Sequence, residues 1–118
     1  MHLGAVDQPS SAGGADTGPM PIELLGASLA TCVALYVQQF CAARGLPTRG
    51  LAVEVQQHGA RNPGRIGRFD VQVRIPEDLP APYLPLLERV AQSCPAHHTL
   101  VHGAEVHVEV STTAGAAA

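Results

Sequence analysis

The sequence predicts an α+β domain in which one long central helix packs against an antiparallel sheet, and two observations predict it. Residues 20–37 form a nearly continuous apolar run, so the helix they build is apolar on all sides rather than along one stripe. Leu51, Val53 and Val55 alternate with Glu54 and Gln56, Phe69, Val71, Val73 and Ile75 with Asp70, Gln72 and Arg74, and Val106, Val108 and Val110 with Glu105, His107 and Glu109, the period of strands with one buried face. Three such strands cannot cover that helix from every side. The burial requirement alone therefore predicts an obligate homodimer.

In chain order, residues 1–18 read as irregular, because Gln8-Pro9-Ser10-Ser11-Ala12-Gly13-Gly14 is turn chemistry without a period. A single domain is expected over 19–112. Pro19 and Pro21 open its first helix, where a missing N–H costs nothing. The helix runs to about Arg44, where Gly45 supplies a left-handed stop and Pro47 prevents resumption. Gly26, Ala30 and Ala34 form a small-residue ridge along it, suited to close approach by another helix. His58 to Gly67, with Asn62-Pro63-Gly64, reads as the turn of a hairpin. A second helix is expected from Ala81 to Ser93, with Leu84, Leu87 and Val90/Ala91 facing inward. Cys94-Pro95 breaks it, a short helix follows to about Val101, Gly103 stops that, and 106–110 is the third strand. Residues 113–118 read as a flexible tail of small residues.

The composition narrows the function. A chain of 118 residues and 12.2 kDa holds one domain. Its seven basic residues are all Arg and are outnumbered by ten acidic ones, so it offers no electrostatic footprint for nucleic acid or an anionic membrane. The run 20–37 is just long enough to span a bilayer, but it carries Glu23, Ser28 and Thr31 and has no flanking basic cluster or aromatic belt. It reads as a buried helix of a protein that neither binds nor crosses membranes. Three cysteines cannot all pair within the chain, and no secretory leader pattern precedes them. A cytoplasmic location is expected, where a cysteine serves packing or redox chemistry.

Cys32 lies mid-helix on the stripe Leu25, Leu29, Cys32, Tyr36. Cys41, nine positions on at about 100° per residue, points to the opposite side. For Cys32 alone, a small buried hydrophobe is the simpler reading. Cys94, just before Pro95, falls at the start of a short helix, where free N–H groups and the dipole favour a thiolate. Cys94, His98 and His102 follow helical spacing and could hold zinc, although no second ligand pair accompanies them. Arg61, Arg65 and Arg68 crowd the hairpin turn, where solvated side chains are the default and one could reach a thiolate.

The run Gly18 to Cys32, GPMPIELLGASLATC, resembles the GPxPxELLxASLxxC signature of the osmotically inducible protein C (OsmC) and organic hydroperoxide resistance (Ohr) superfamily. Cys94 to Leu100, CPAHHTL, resembles that family's second motif, CPxxxTL, followed by a final strand. The similarity covers about Gly13 to Val110. It implies an OsmC-like fold, an intertwined homodimer with two central helices wrapped by curved sheets, and thiol-dependent reduction of organic hydroperoxides in the oxidative stress response. Cys32 would then be the peroxidatic thiolate and Cys94 the resolving thiol. A small dithiol such as a dihydrolipoyl group would restore both, with no cofactor and no metal.

Two positions depart from the family pattern. No Arg precedes Gly18, although relatives hold their thiolate with an arginine from N-terminal strands, and Ile22 stands where they place Glu. Arg61, Arg65 and Arg68 are the candidate replacements. The same departures motivate a second reading: a non-catalytic dimer that binds a small apolar ligand between the central helices, in a groove lined by Leu25, Leu29 and Tyr36.

Overall fold

A computed structural model of the chain describes residues 8, 10–15, 17–76 and 78–114. The element order is α1 (Glu23–Ala43), β1 (Ala52–Ala60), β2 (Arg65–Arg74), α2 (Leu84–Ala91) and α3 (Pro95–His102), with short 3-10 turns at Ser10–Ala12 and Ala81–Tyr83. Residues 1–7, 9 and 16 of the expected irregular 1–18 stretch, and 115–118 of the expected 113–118 tail, lie outside the described residues.

Both ends of α1 follow local chemistry. Glu23 reaches back so that its Oε1 accepts from the Met20 N–H at 3.3 Å, three residues upstream. At the other end Gly45 takes φ 65, its N–H donates to the Ala42 carbonyl at 3.2 Å, and the Leu46 N–H donates to the Cys41 carbonyl at 2.9 Å. These two bonds close a Schellman motif. Within one chain α1 buries a single stripe, Gly26, Leu29, Val33, Val37 and Cys41, packed against β1, α2 and α3 and scarcely touching β2. Ile22, Leu25 and Leu35 stay exposed. The all-round burial expected from the sequence is thus not met by one chain. By length and composition α1 could cross a membrane, with only 28% of its apolar window buried.

β1 and β2 pair antiparallel as a hairpin, Val53 opposite Val73 and Val55 opposite Val71. The strands extend further toward the tip than the sequence suggests, leaving only 61–64 as the turn. Register shifts by one between His58 and Gly59, and Gly67 is the extra residue of that bulge. A Cβ on Gly67 would lie 2.8 Å from that of Ala60, so the bulge requires glycine there.

Two expectations are corrected. The second helix is shorter than Ala81–Ser93: its start is a 3-10 turn and its α-helical part is Leu84–Ala91. Pro82 and Pro85 in succession remove two N–H donors from the first turn. The third strand is absent among the described residues, which contain a two-stranded sheet. Residues 103–110 run without secondary structure, and Val106, Val108 and Val110 are 82%, 80% and 88% exposed. The alternation is that of a strand, but no strand edge of the same chain lies beside it. The radius of gyration is 18.4 Å, against about 13.5 Å for a compact chain of this length.

Candidate active site

The core is one cluster: Leu29, Val33, Val37 and Cys41 of α1, Leu79, Leu87 of α2, and Cys94. Cys94 has no exposed surface. It is the N-cap of α3, with extended backbone at φ -72 and ψ 148, and its Sγ accepts from the His97 N–H at 3.3 Å. Pro95 follows at the first helical position, where a missing N–H costs nothing. The N-cap position is therefore as the sequence predicts. The expected preference for thiolate there is not. Burial pushes the Cys94 thiol above the ordinary thiol range and outweighs the His97 N–H, which pulls it down. A dipole of about half a charge at the end of a short helix does not offset the desolvation of a fully buried anion.

Cys32 is half-buried, and α1 carries it to Cys94. Cys32 packs against the cluster that contains Cys94, and its side chain, as a polar and charged neighbour, raises the Cys94 pKa further. All three cysteines are free thiols. Cys41 is buried at the far end of α1, where desolvation raises its pKa and the Arg44 guanidinium partly opposes this. Arg44 is stacked on Phe40, 3.7 Å from the ring centroid.

The remaining candidates lie elsewhere. Arg65 donates to the carbonyls of Arg61 and Pro63 at 2.9 Å and so ties off its own turn. Arg68 pairs with Asp70 at 3.3 Å, and Asp70 is also 2.6 Å from His58. Both arginines are exposed, as is Arg61, and none of the three is among the groups that act on Cys94. Leu29 is buried, Tyr36 half-buried and Leu25 exposed. A cavity of about 780 Å³ opens beside Leu29 and Val33, between the inner face of β2 and helices α2 and α3. Leu25 and Tyr36 do not line it. His98 and His102 stack at 5.7 Å on α3, but Cys94 turns inward, and among the described residues no three His, Cys, Asp or Glu side chains converge on a metal position.

One residue escaped the sequence reading. Gln57 occupies an inner position of β1, where Val53 and Val55 precede it, and its Oε1 accepts from the Gly26 N–H at 2.8 Å. A Cβ on Gly26 would lie within van der Waals overlap of that oxygen. The small-residue ridge thus admits a carboxamide from a strand at Gly26, where the sequence suggested another helix. A glutamine interrupting an inward-facing valine series was the available signal.

The fold is thus an α+β chain in which distant parts of the sequence bring a half-buried free thiol, Cys32, to the cluster that holds a buried one, Cys94. The family model described as OsmC-like protein matches residues 13–110, and the chain belongs to the OsmC-like family. Its fold is similar to that of a candidate osmotic stress induced and detoxification response protein from Psychrobacter arcticus 273-4, at 21% identity and TM-score 0.74, covering 80% of this chain and 69% of that one. It is also similar to an organic hydroperoxide resistance protein OsmC from Legionella pneumophila, at 19% identity and TM-score 0.53, covering 80% and 70%. No curated protein matches the chain.

Proposed function

We propose that the protein reduces organic hydroperoxides with Cys32 and Cys94 as its redox pair. The observation that carries this reading is that two cysteines 62 positions apart in sequence meet at the core, Cys32 packed against the cluster that contains Cys94 and acting on its thiol. Because Cys94 holds its proton, Cys32 is the sulfur assigned to attack. Its thiolate attacks the distal peroxide oxygen and forms the S–O bond as the O–O bond breaks; the alkoxide is displaced and takes up a proton to become the alcohol, and Cys32 is left as a sulfenic acid. The Cys94 thiol, transferring its proton to the departing oxygen, then condenses with it to a disulfide and releases water. A small dithiol, oxidised to its own disulfide, restores both thiols in a cytoplasmic setting.

The working unit in this proposal is a homodimer. The bare side of α1 at Ile22, Leu25 and Leu35, together with the projecting valines of 106–110, calls for a second copy, since a lone chain rarely leaves so much apolar surface in water. Arg61, Arg65 and Arg68, engaged or exposed at the tip of their own hairpin, remain candidates to serve the partner's thiol.

One equivalent of an alkyl hydroperoxide added to the reduced protein should yield a Cys32–Cys94 disulfide, detected by peptide mapping, and Cys32→Ser should lower peroxide turnover at least ~1000-fold. Absence of the disulfide, with Cys32→Ser turning over like the unchanged protein, contradicts the proposal.

A further inference from the structure

We propose that oxidation of the Cys32–Cys94 pair uncaps α3, so that this helix reports the redox state of the dithiol. The inference rests on the two cysteines being a redox pair, and not on which oxidant acts on them.

Cys94 Sγ has two duties. It is the N-terminal cap of α3, accepting from the His97 N–H at 3.3 Å, with the Ala96 N–H also directed to it. It is also the sulfur that faces Cys32, which packs against the same cluster and acts on the Cys94 thiol. Being fully buried, it leaves no water to take over the cap if it moves. The helix has few other attachments: it spans eight residues, none of them buried, and a helix that short does not persist by its own propensity. Beyond it Gly103, at φ 78, ends the helix and releases the chain into the exposed 104–110 segment.

The two duties conflict on oxidation. Forming the disulfide removes one hydrogen from each thiol, two electrons and two protons in all, and makes one S–S bond. The sulfurs of two free thiols must close from non-bonded separation to about 2.05 Å, with the torsion about the new bond near ~90°. Cys94 Sγ is thereby drawn toward α1 by roughly 1 Å or more, and its lone pairs are turned to suit that torsion rather than the helix. The cap bond, already 3.3 Å long, lengthens and opens, and the first N–H groups of α3 lose their partner.

Amide hydrogen exchange read by mass spectrometry tests this on the full chain. The disulfide is made with the azo oxidant diamide, which takes up the two electrons and two protons, and its identity is checked by peptide mapping. Amides of 96–102 should exchange roughly two- to fivefold faster in the disulfide form than in the dithiol form, while those of β1 stay unchanged. Cys94→Ser supplies a hydroxyl cap and cannot form the bond, so its α3 should remain slow and indifferent to diamide. Cys94→Ala should be fast under both conditions, and Cys32→Ser slow under both. Equal or slower exchange of 96–102 in the verified disulfide form overturns the proposal, as does a pair that diamide cannot link. A pair linked by diamide but not by hydroperoxide, with α3 accelerated, upholds it while refuting the peroxidase reading.

Discussion

The two ends of α3 sit in opposite surroundings. At its N-terminus Cys94 is fully buried, its sulfur engaged by the His97 N–H and by Cys32. At its C-terminus, eight residues later, the chain turns at Gly103 into a segment whose valines are at least 80% exposed. The first end is complete within one chain: helix, cap and partner thiol are all present. The second carries the sequence pattern of a strand without the edge that would make it one. The difference separates what the chain builds alone, the dithiol, from what it is proposed to build with a second copy, the closure of its apolar surface.

The largest expected effect breaks the open end. Val108→Asp places a charge in the middle of the projecting segment while leaving the Cys94 end untouched. If that segment lies in a dimer interface, self-association measured by sedimentation equilibrium should weaken at least ~100-fold, whereas the free thiol count and the diamide-induced disulfide should be unchanged. Unaltered association would place the interface elsewhere.

Leu87→Ala works on the closed end instead. Leu87 is 4% exposed and belongs to the cluster that holds Cys94. Its truncation should cost about 2–4 kcal/mol in denaturant unfolding, and the loosened core should slow disulfide formation in the folded fraction. A loss below ~1 kcal/mol would mean that α2 contributes little to seating the thiols.

The smallest effect is on pH dependence. Cys94 and Cys41 both have folded-state pKa values raised above the ordinary thiol value of 9.0, chiefly by burial. The folded chain therefore keeps these protons at pH values where the unfolded chain releases them. The unfolded state then binds fewer protons, and stability falls as pH rises from about 9 upward, having been fully present below it. Cys41→Val should flatten part of that alkaline slope in chemical denaturation measured at several pH values, leaving the Cys94 part. A slope unchanged by the substitution would show that Cys41 does not titrate with unfolding.

How far the sequence could be read follows the same division. The C-terminal limit of α1, the hairpin and the N-cap role of Cys94 are fixed by signals within a few residues of each feature: Gly45 and Pro47, period-two alternation, and Cys-Pro at a helix start; the start of α1, expected at Pro19 and Pro21, falls instead at Glu23. The meeting of Cys32 with Cys94 depends on how α1 and α3 pack, which no local spacing encodes; only the likeness of two motifs to a family pointed to it. The strand at 106–110 was misread because alternation records which side of a segment seeks cover and says nothing of whose edge supplies it. The thiolate preference of Cys94 was misjudged because the dipole is visible in sequence and the depth of burial is not. Gln57 was missed because a polar residue in a strand is ordinarily assigned to water.

The bulge at the tip of the hairpin has a consequence for the arginines. Strand side chains obey parity, so Ile66 and Phe69, three apart, would ordinarily face opposite sides. The extra residue Gly67 corrects that parity by one step, and Ile66 and Phe69 both line the cavity on the inner face. Deleting Gly67 would leave the count even and the faces intact; deleting any single residue between Val71 and Arg74 would exchange inside for outside along the rest of the strand. Within the strands, the bulge is thus the place where a residue can be lost without turning a guanidinium toward the core.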